Sequence, residues 1–141
     1  MHFTHLLRLV SNRDAAVLPG KSKDPNWPGW IPVQSFGVAN RGVAIGSSGA
    51  SKTPESPAFP GQEYYFVVNS DDVDIHALHR WFLNGEPVSA KLSAVPAAVG
   101  EEGFQFYFEG ALISSLQMRV DATYFSLSPE RVERRYLMRY R

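Results

Sequence analysis

The feature that most constrains the fold is a two-residue alternation that recurs through the second half of the sequence. Residues 88–94 alternate apolar residues with serine and lysine, residues 104–109 carry a phenylalanine at every second position, and residues 131–140 alternate again. Further strand-like segments lie at 111–120 and 124–127. Successive side chains of a β-strand point to opposite faces, so this period predicts strands with one buried face.

Three more strands are predicted in the first half, at residues 3–10, 30–39 and 63–68. The first of them has large apolar side chains on both faces, which indicates a strand that is covered on both sides. Residues 11–29 are rich in asparagine, aspartate, proline and glycine, so we expect a loop between the first two strands.

One helix is predicted, from about Ile75 to Phe82. Apolar residues and His79 recur at the i, i+3, i+4 and i+7 positions of this segment, which gives a helix with one apolar face. Residues 69–72 offer N-cap side chains and acids for a first turn, and Asn84-Gly85 ends the pattern. A single helix of this length is expected to pack on a sheet.

The number and spacing of the strands predict the architecture. The connections at 96–103 and 121–122 are short, which favours antiparallel neighbours. Many strands with one helix predict a mainly β chain folded as a closed or nearly closed barrel. The length of 141 residues is that of one domain. Residues 40–62 hold four glycines and three prolines, so we expect an extended loop, either a binding loop or a merely flexible insertion.

The composition excludes several classes of function. The sequence has no cysteine, which rules out disulfides, thiolate zinc sites, iron–sulfur clusters and a cysteine nucleophile. Fourteen basic residues balance fourteen acidic ones, which argues against a general attraction to nucleic acid. No apolar run approaches the ~20 residues that span a bilayer, and the first residues lack the pattern of a signal peptide. We therefore expect neither membrane insertion nor nucleic-acid binding.

Few residues suggest catalysis. His76 and His79 are three apart on the predicted helix, but the glutamate and further histidine of a zinc-protease helix are missing, and we expect His79 in the core. The serines at 47–48 and 114–115 lack the nucleophile elbow of hydrolases, and the glycines at 42–49 lack the lysine of a phosphate-binding loop. We predict that the protein is not an enzyme and that it has no catalytic residue, metal or cofactor.

Two clusters have more than one interpretation. The arginines of residues 131–141, interleaved with tyrosines, could contact nucleic acid, but neighbouring arginines of a strand point to opposite faces, and pairing with acidic residues is the commoner arrangement. Trp27 and Trp30 flank a turn. They could anchor a sugar, a peptide or another subunit, or they could cap the core, which is the simpler interpretation.

Several short segments, taken in order, resemble one family. Residues 20–24 (Gly-Lys-Ser-Lys-Asp) resemble a Gly-Glu-Ser-x-Asp turn, and residues 30–37 resemble an aromatic second strand that ends in glycine. Residues 63–68 and the helix after them occupy the place of a strand and a single helix, and residues 125–127 with 131–136 resemble a closing Phe-Ser-Leu, Lys-Val-Glu and Tyr. The chain resembles the Hcp family, the haemolysin-coregulated proteins that build the inner tube of the bacterial type VI secretion system.

The resemblance implies a β-barrel of two antiparallel sheets with one flanking helix. It implies a structural subunit that forms hexameric rings, and these rings stack into a tube. The partners that it implies are the sheath, spike and effector proteins of the secretion system. It also implies a protein of the bacterial cytoplasm that is then secreted without a signal peptide. The exported rings could carry effectors. The alternatives are a monomeric β-domain that binds carbohydrate or peptide, and a related contractile-tail tube protein.

The resemblance places the functional residues at subunit contacts. The loop at 40–62 is predicted to contact the next ring, and the last strand is predicted to lie near a subunit interface. The residues predicted for these contacts are Arg41, Gly42, Val43, Ser47, Ser48, Lys52, Arg134 and Tyr136.

Overall fold

The computed structural model of the chain describes residues 3–40, 62–96 and 103–136. The strands are β1 (Phe3–Ser11), β2 (Ile31–Asn40), β3 (Gln62–Asn69), β4 (Val88–Pro96), β5 (Phe104–Met118), β6 (Ala122–Ser128) and β7 (Arg131–Tyr136). A 3₁₀ turn (Ser70–Asp72) and one α-helix, α1 (Ile75–Leu83), connect β3 to β4. The predicted mainly β chain with one helix is confirmed.

Six strands close into an antiparallel barrel. The order of neighbours is β4-β1-β2-β3-β6-β5, and β5 pairs back with β4. The seventh strand, β7, pairs with the first half of β5. Closure leaves few free strand edges, which is how a small β-protein avoids uncontrolled strand pairing.

The long strand β5 belongs to both sides of the barrel. Its residues 104–111 pair with β4, whereas its residues 112–118 pair with β6. The expectation of separate strands at 104–109 and 111–120 is wrong, because Gly110 adopts a φ of 60° and the ladder to β4 shifts register there. A glycine bulge of this kind bends a strand without ending it. All seven strands belong to one hydrogen-bonded sheet, whose two halves, β1-β4-β5-β7 and β2-β3-β6-β5, form the two sides of the barrel; each half is called a sheet below.

Aromatic rings fill the barrel. Phe66, Phe108 and Phe125 are each at most 1% exposed. The rings of Phe66 and Phe125 stack with centroids 5.3 Å apart, and Tyr64 meets Phe108 edge to face at 4.9 Å. These inward residues alternate with outward ones along each strand, as the two-residue period predicts.

The helix α1 covers one end of the barrel. Leu78 is fully buried, and Asp74 is the N-cap, its Oδ1 accepting a hydrogen bond from the Ala77 N–H at 3.1 Å. The expectation that residues 69–72 cap this helix is wrong, because they form the separate 3₁₀ turn capped by Asn69. Gly85 follows the helix with a φ of 61°, the left-handed conformation common after a helix.

Residues 12–30 cover the outer face of β1. Trp27 and Trp30 meet edge to face with ring centroids 4.8 Å apart, and both pack against Leu6 and Val95. Trp30 is only 9% exposed. The two tryptophans therefore cap a second apolar cluster, and β1 is covered on both faces as predicted.

Candidate functional site

The predicted interface residues fall into two groups. Arg41, Gly42, Val43, Ser47, Ser48 and Lys52 lie outside the described residues, so their contact with a next ring stays a prediction. The base of their segment is described, since Asn40 pairs with Gln62 at the end of the barrel opposite α1. Arg134 and Tyr136 lie in β7, and their backbones pair with those of Phe106 and Phe104.

Arg134 contacts an aromatic cluster at this end of the barrel. Its guanidinium carbon lies 4.9 Å from the ring centroid of Phe104 and 6.0 Å from that of Phe106. Phe36 of β2 approaches Phe106 with centroids 5.8 Å apart. A guanidinium over aromatic faces is held by cation–π attraction. Arg134 thus places a positive charge beside the aromatic rings at this end of the barrel.

Two titratable groups of the barrel strands have pKa values shifted by burial. His5 of β1 pairs with Val33 and Ala94 along the ladders, and burial lowers the pKa of its imidazole below 6.5. Burial raises the pKa of the Tyr64 hydroxyl above 10.0, and this hydroxyl donates a hydrogen bond to Oε1 of Gln62 at 3.0 Å. Both shifts favour the uncharged form, so both groups are neutral near pH 7.

The outer surface of the β4-β5-β7 sheet is charged. Arg135 lies over the ring of Tyr107, with its guanidinium carbon 4.8 Å from the centroid, and forms an ion pair of 2.7 Å with Glu133. Lys91 lies over the same ring at 5.6 Å. Arg134 and Arg135 contact rings on opposite faces of the sheet, as the two-residue period of a strand predicts. We call this surface the charged face; it consists of Lys91, Gln105, Tyr107, Glu109, Arg131, Glu133 and Arg135.

The outer surface of the other sheet differs in kind. The register places Gly37, Tyr65, Ser126 and Ser115 in one row across the four strands. The next row carries another serine, a valine, a tyrosine and a glutamine. We call this surface the uncharged face; it consists of Ser35, Gly37, Tyr65, Val67, Ser115, Gln117, Tyr124 and Ser126.

The outer strands of the sheet β2-β3-β6-β5 are β2 and β5, and each extends beyond the strand that pairs with its outer edge. β1 pairs with β2 only at residues 31–33, and β4 pairs with β5 only up to Ala111. Within the described ranges, therefore, residues 34–40 of β2 and 112–118 of β5 each have one edge that pairs with no strand. The two edges lie on opposite sides of the same four-stranded sheet. Unpaired edges are templates for pairing with another chain.

The histidines of α1 do not form a ligand cluster with other residues. His76 is exposed and His79 is half-buried, so the expectation that His79 lies in the core is met only in part. Over residues 3–40, 62–96 and 103–136, no group of three or more histidine, cysteine, aspartate or glutamate side chains is close enough to hold a metal ion. None of the helices in these ranges is long and apolar enough to cross a membrane.

Comparison with solved structures identifies the fold. The chain superposes on Hcp1 from Salmonella typhimurium with a TM-score of 0.67 at 14% identity, covering 96% of this chain and 88% of that one. It matches the Hcp1 protein from E. coli EAEC 042, a mutant form, with a TM-score of 0.67 at 13% identity over 98% of both chains. The chain has the Hcp fold. The secreted protein Hcp3 from Pseudomonas aeruginosa also matches, with a TM-score of 0.64 at 8% identity over 99% of both chains.

The likeness lies in the structure rather than in the sequence. No protein-family model matches the sequence, and no curated protein matches it significantly. The resemblance in residues 20–24 nevertheless has a structural basis in this chain. Ser22 Oγ accepts from the Asp24 N–H at 3.1 Å, and Asp24 Oδ1 accepts from the Asn26 N–H at 2.9 Å. The motif of the Hcp-like turn therefore shapes the loop that carries Trp27 and Trp30.

Proposed function

We propose that this chain is a structural subunit of a type VI secretion inner tube, in which six copies form a ring and rings stack end to end. Among the described residues 3–40, 62–96 and 103–136, two strand edges on opposite sides of one four-stranded sheet pair with no strand. This observation, in a chain with the Hcp fold, carries the proposal. The neighbours include a protein described as secreted and one described as a type VI secretion system effector.

The strand directions suit ring closure. The sheet has four antiparallel strands, β2-β3-β6-β5, so β2 and β5 run in opposite directions. When a second copy related by rotation places its β2 edge beside the β5 edge of the first, the new neighbours are antiparallel. Such a head-to-tail contact repeats around a ring if the rotation closes. Each copy then contributes both edges, and no copy is left with an edge unpaired.

The same closure assigns the two outer faces. The rest of the barrel lies behind the four-stranded sheet, and this bulk requires the larger circumference. The uncharged face would therefore line the hole of the ring, whereas the charged face, with Arg131 and Arg135, would lie away from it. Glu63 lies on the same face of β3, where its Oε1 accepts a hydrogen bond from the Tyr65 hydroxyl at 3.1 Å. A lining with so few charges holds charged surfaces by few ion pairs, which suits a conduit for effector and spike proteins.

Introduced cysteines test the edge contact, because the sequence has none of its own. Gly37→Cys is combined in turn with Ser115→Cys and with Gln117→Cys, all on outward positions, and a Cβ at Gly37 meets no atom within 4 Å. A disulfide needs Cβ atoms about 3.5–4.5 Å apart, so only neighbouring positions are linked. Oxidation of at least one pair should give a ladder of linked copies that ends at six.

The control pair is Gly37→Cys with Lys91→Cys, because Lys91 lies on the charged face of the other sheet. This pair and each single variant should give no ladder. If neither edge pair gives a ladder, or if the control pair links as well, the edge contact is wrong.

The stacking part of the proposal rests on residues 42–62 as a ring-to-ring contact. Shortening this segment should leave the fold and the rings in place, because the described barrel closes without it, and should abolish tubes in electron micrographs. Tubes of unchanged length would contradict this assignment.

A further inference from the structure

A groove crosses the uncharged face between two exposed tyrosines. Its volume is about 280 Å³, and Tyr65, Val67, Ser115, Gln117 and Tyr124 line it together with parts of the strands beneath. Tyr65 and Tyr124 are 41% and 40% exposed. Large aromatic side chains that stay exposed around a concave surface are typical of binding sites. The volume is that of one or two side chains rather than of a folded partner.

The lining of the groove carries no charged side chain. Two charged residues at its borders, Glu63 and Arg119, each contact one of the two tyrosines. The Tyr65 hydroxyl donates to Oε1 of Glu63 at 3.1 Å, and the guanidinium carbon of Arg119 lies 5.3 Å from the ring centroid of Tyr124. A charged ligand would lose hydration over this uncharged lining, and the two charges at the borders already contact the tyrosines. The groove therefore favours an uncharged ligand.

The hydroxyl groups beside the groove bond mainly to one another. Ser126 is fully buried, and its Oγ lies 2.8 Å from Oγ of Ser114 and 2.6 Å from Oγ of Ser115. Three hydroxyls thus share two hydrogen bonds, and the polar groups in the lining beyond this cluster are the amide of Gln117 and the tyrosine hydroxyls. A saccharide needs many hydrogen-bond partners, whereas an aromatic ring gains most from the faces and edges of two tyrosines.

We propose that this groove binds one uncharged aromatic side chain of a passenger polypeptide inside the ring. The proposal rests on the proposed function, which turns the uncharged face towards the hole. It assigns a chemical class to the contact: an aromatic ring packs between Tyr65 and Tyr124, and one polar group of the ligand bonds to Gln117. Binding of this kind depends little on salt, since no ion pair is formed.

Saturation-transfer NMR with a small probe tests the class of ligand. N-acetyl-tyrosinamide carries the ring and neutral amides; N-acetyl-tyrosine adds a carboxylate, and N-acetylglucosamine supplies hydroxyls without an aromatic ring. The tyrosinamide should give a saturable signal that is unchanged by salt, and the other two should bind more weakly. An absence of saturation with the tyrosinamide, or tighter binding of either other compound, would overturn the proposal.

Variants locate the binding. Tyr124→Ala removes one aromatic wall and should weaken the tyrosinamide about two- to tenfold. Gln117→Trp fills the groove from an exposed strand position and should abolish the signal, which keeps the test decisive if Tyr124→Ala does not fold. Tyr107→Ala removes a tyrosine of the charged face and should leave binding unchanged. Equal binding by the wild type and both groove variants would refute the site.

The titration is independent of assembly, so the two proposals can fail separately. Probe binding by a protein that forms no rings would contradict the proposed function and leave the groove assignment standing. Rings that do not bind the probe would contradict only the groove assignment.

Discussion

Replacing Gly20 by alanine probes the turn that holds the tryptophan loop on β1. A Cβ at this position would lie 2.5 Å from the Trp30 carbonyl oxygen and 2.7 Å from Cγ1 of Ile31. Ordinary contact begins at about 3.4 Å, so the chain must move by about 0.9 Å. The movement strains two backbone hydrogen bonds, from the Gly20 N–H to Gly29 O at 3.1 Å and from the Ser22 N–H to Trp30 O at 2.9 Å.

The expected loss in the free energy of unfolding follows from these contacts. Overpacking a close contact costs about 1–3 kcal/mol, and a weakened backbone hydrogen bond costs about 1 kcal/mol. We expect Gly20→Ala to lower the free energy of unfolding by about 2–4 kcal/mol. Urea unfolding followed by tryptophan fluorescence measures this quantity directly, because Trp27 and Trp30 lie in the affected loop.

Gly37→Ala is the matched control. A Cβ at Gly37 meets no atom within 4 Å, so the same substitution should change the free energy of unfolding by less than about 1 kcal/mol, with alanine favoured by its smaller chain entropy when unfolded. If Gly20→Ala costs no more than Gly37→Ala, the close approach at Trp30 does not constrain the turn and the reasoning is refuted.

Three further predictions concern the barrel. Phe108→Ala should cost about 3–5 kcal/mol in urea unfolding, because the ring is fully buried, whereas Phe104→Ala should cost less, because that residue is only partly buried. Equal costs would contradict the packing described. Asp74→Ala should lower stability by about 1 kcal/mol through loss of the helix cap, and Asp74→Asn should restore most of it. Because burial lowers the pKa of His5, the contribution of this residue to stability should be full above about pH 6.5 and should fall as the pH drops towards the lowered pKa. In unfolding curves measured between about pH 7 and pH 5, His5→Gln should reduce this fall. An unchanged pH dependence would refute the assignment.

Local patterns predicted most elements of the fold. The alternation of Phe104, Phe106 and Phe108 placed a strand with one buried face, and the spacing from Ile75 to Phe82 placed α1 within about one residue of its observed end. These predictions hold because each rests on side chains a few positions apart. Where a local signal is ambiguous the prediction is wrong: the segments at 104–109 and 111–120 are predicted as separate strands, but they form one strand, which bends at Gly110 with a positive φ.

The candidate site was harder to predict because it depends on long-range pairing. Nothing in the sequence of β2 indicates that β1 pairs with only its first residues, so the unpaired edge at 34–40 appears only in the fold. The groove tyrosines were missed, although the alternation around Tyr65 places it outward beside inward Tyr64 and Phe66. An exposed aromatic residue on a polar face was the signal that could have indicated them.

The most direct test of the central claim is the mass of the purified protein by light scattering, with negative-stain images of the same peak. We expect a particle of six times the 15.7 kDa of the chain, seen as an open ring. A compact particle of 15.7 kDa at micromolar concentration would contradict the tube-subunit proposal, although the Hcp fold would stand.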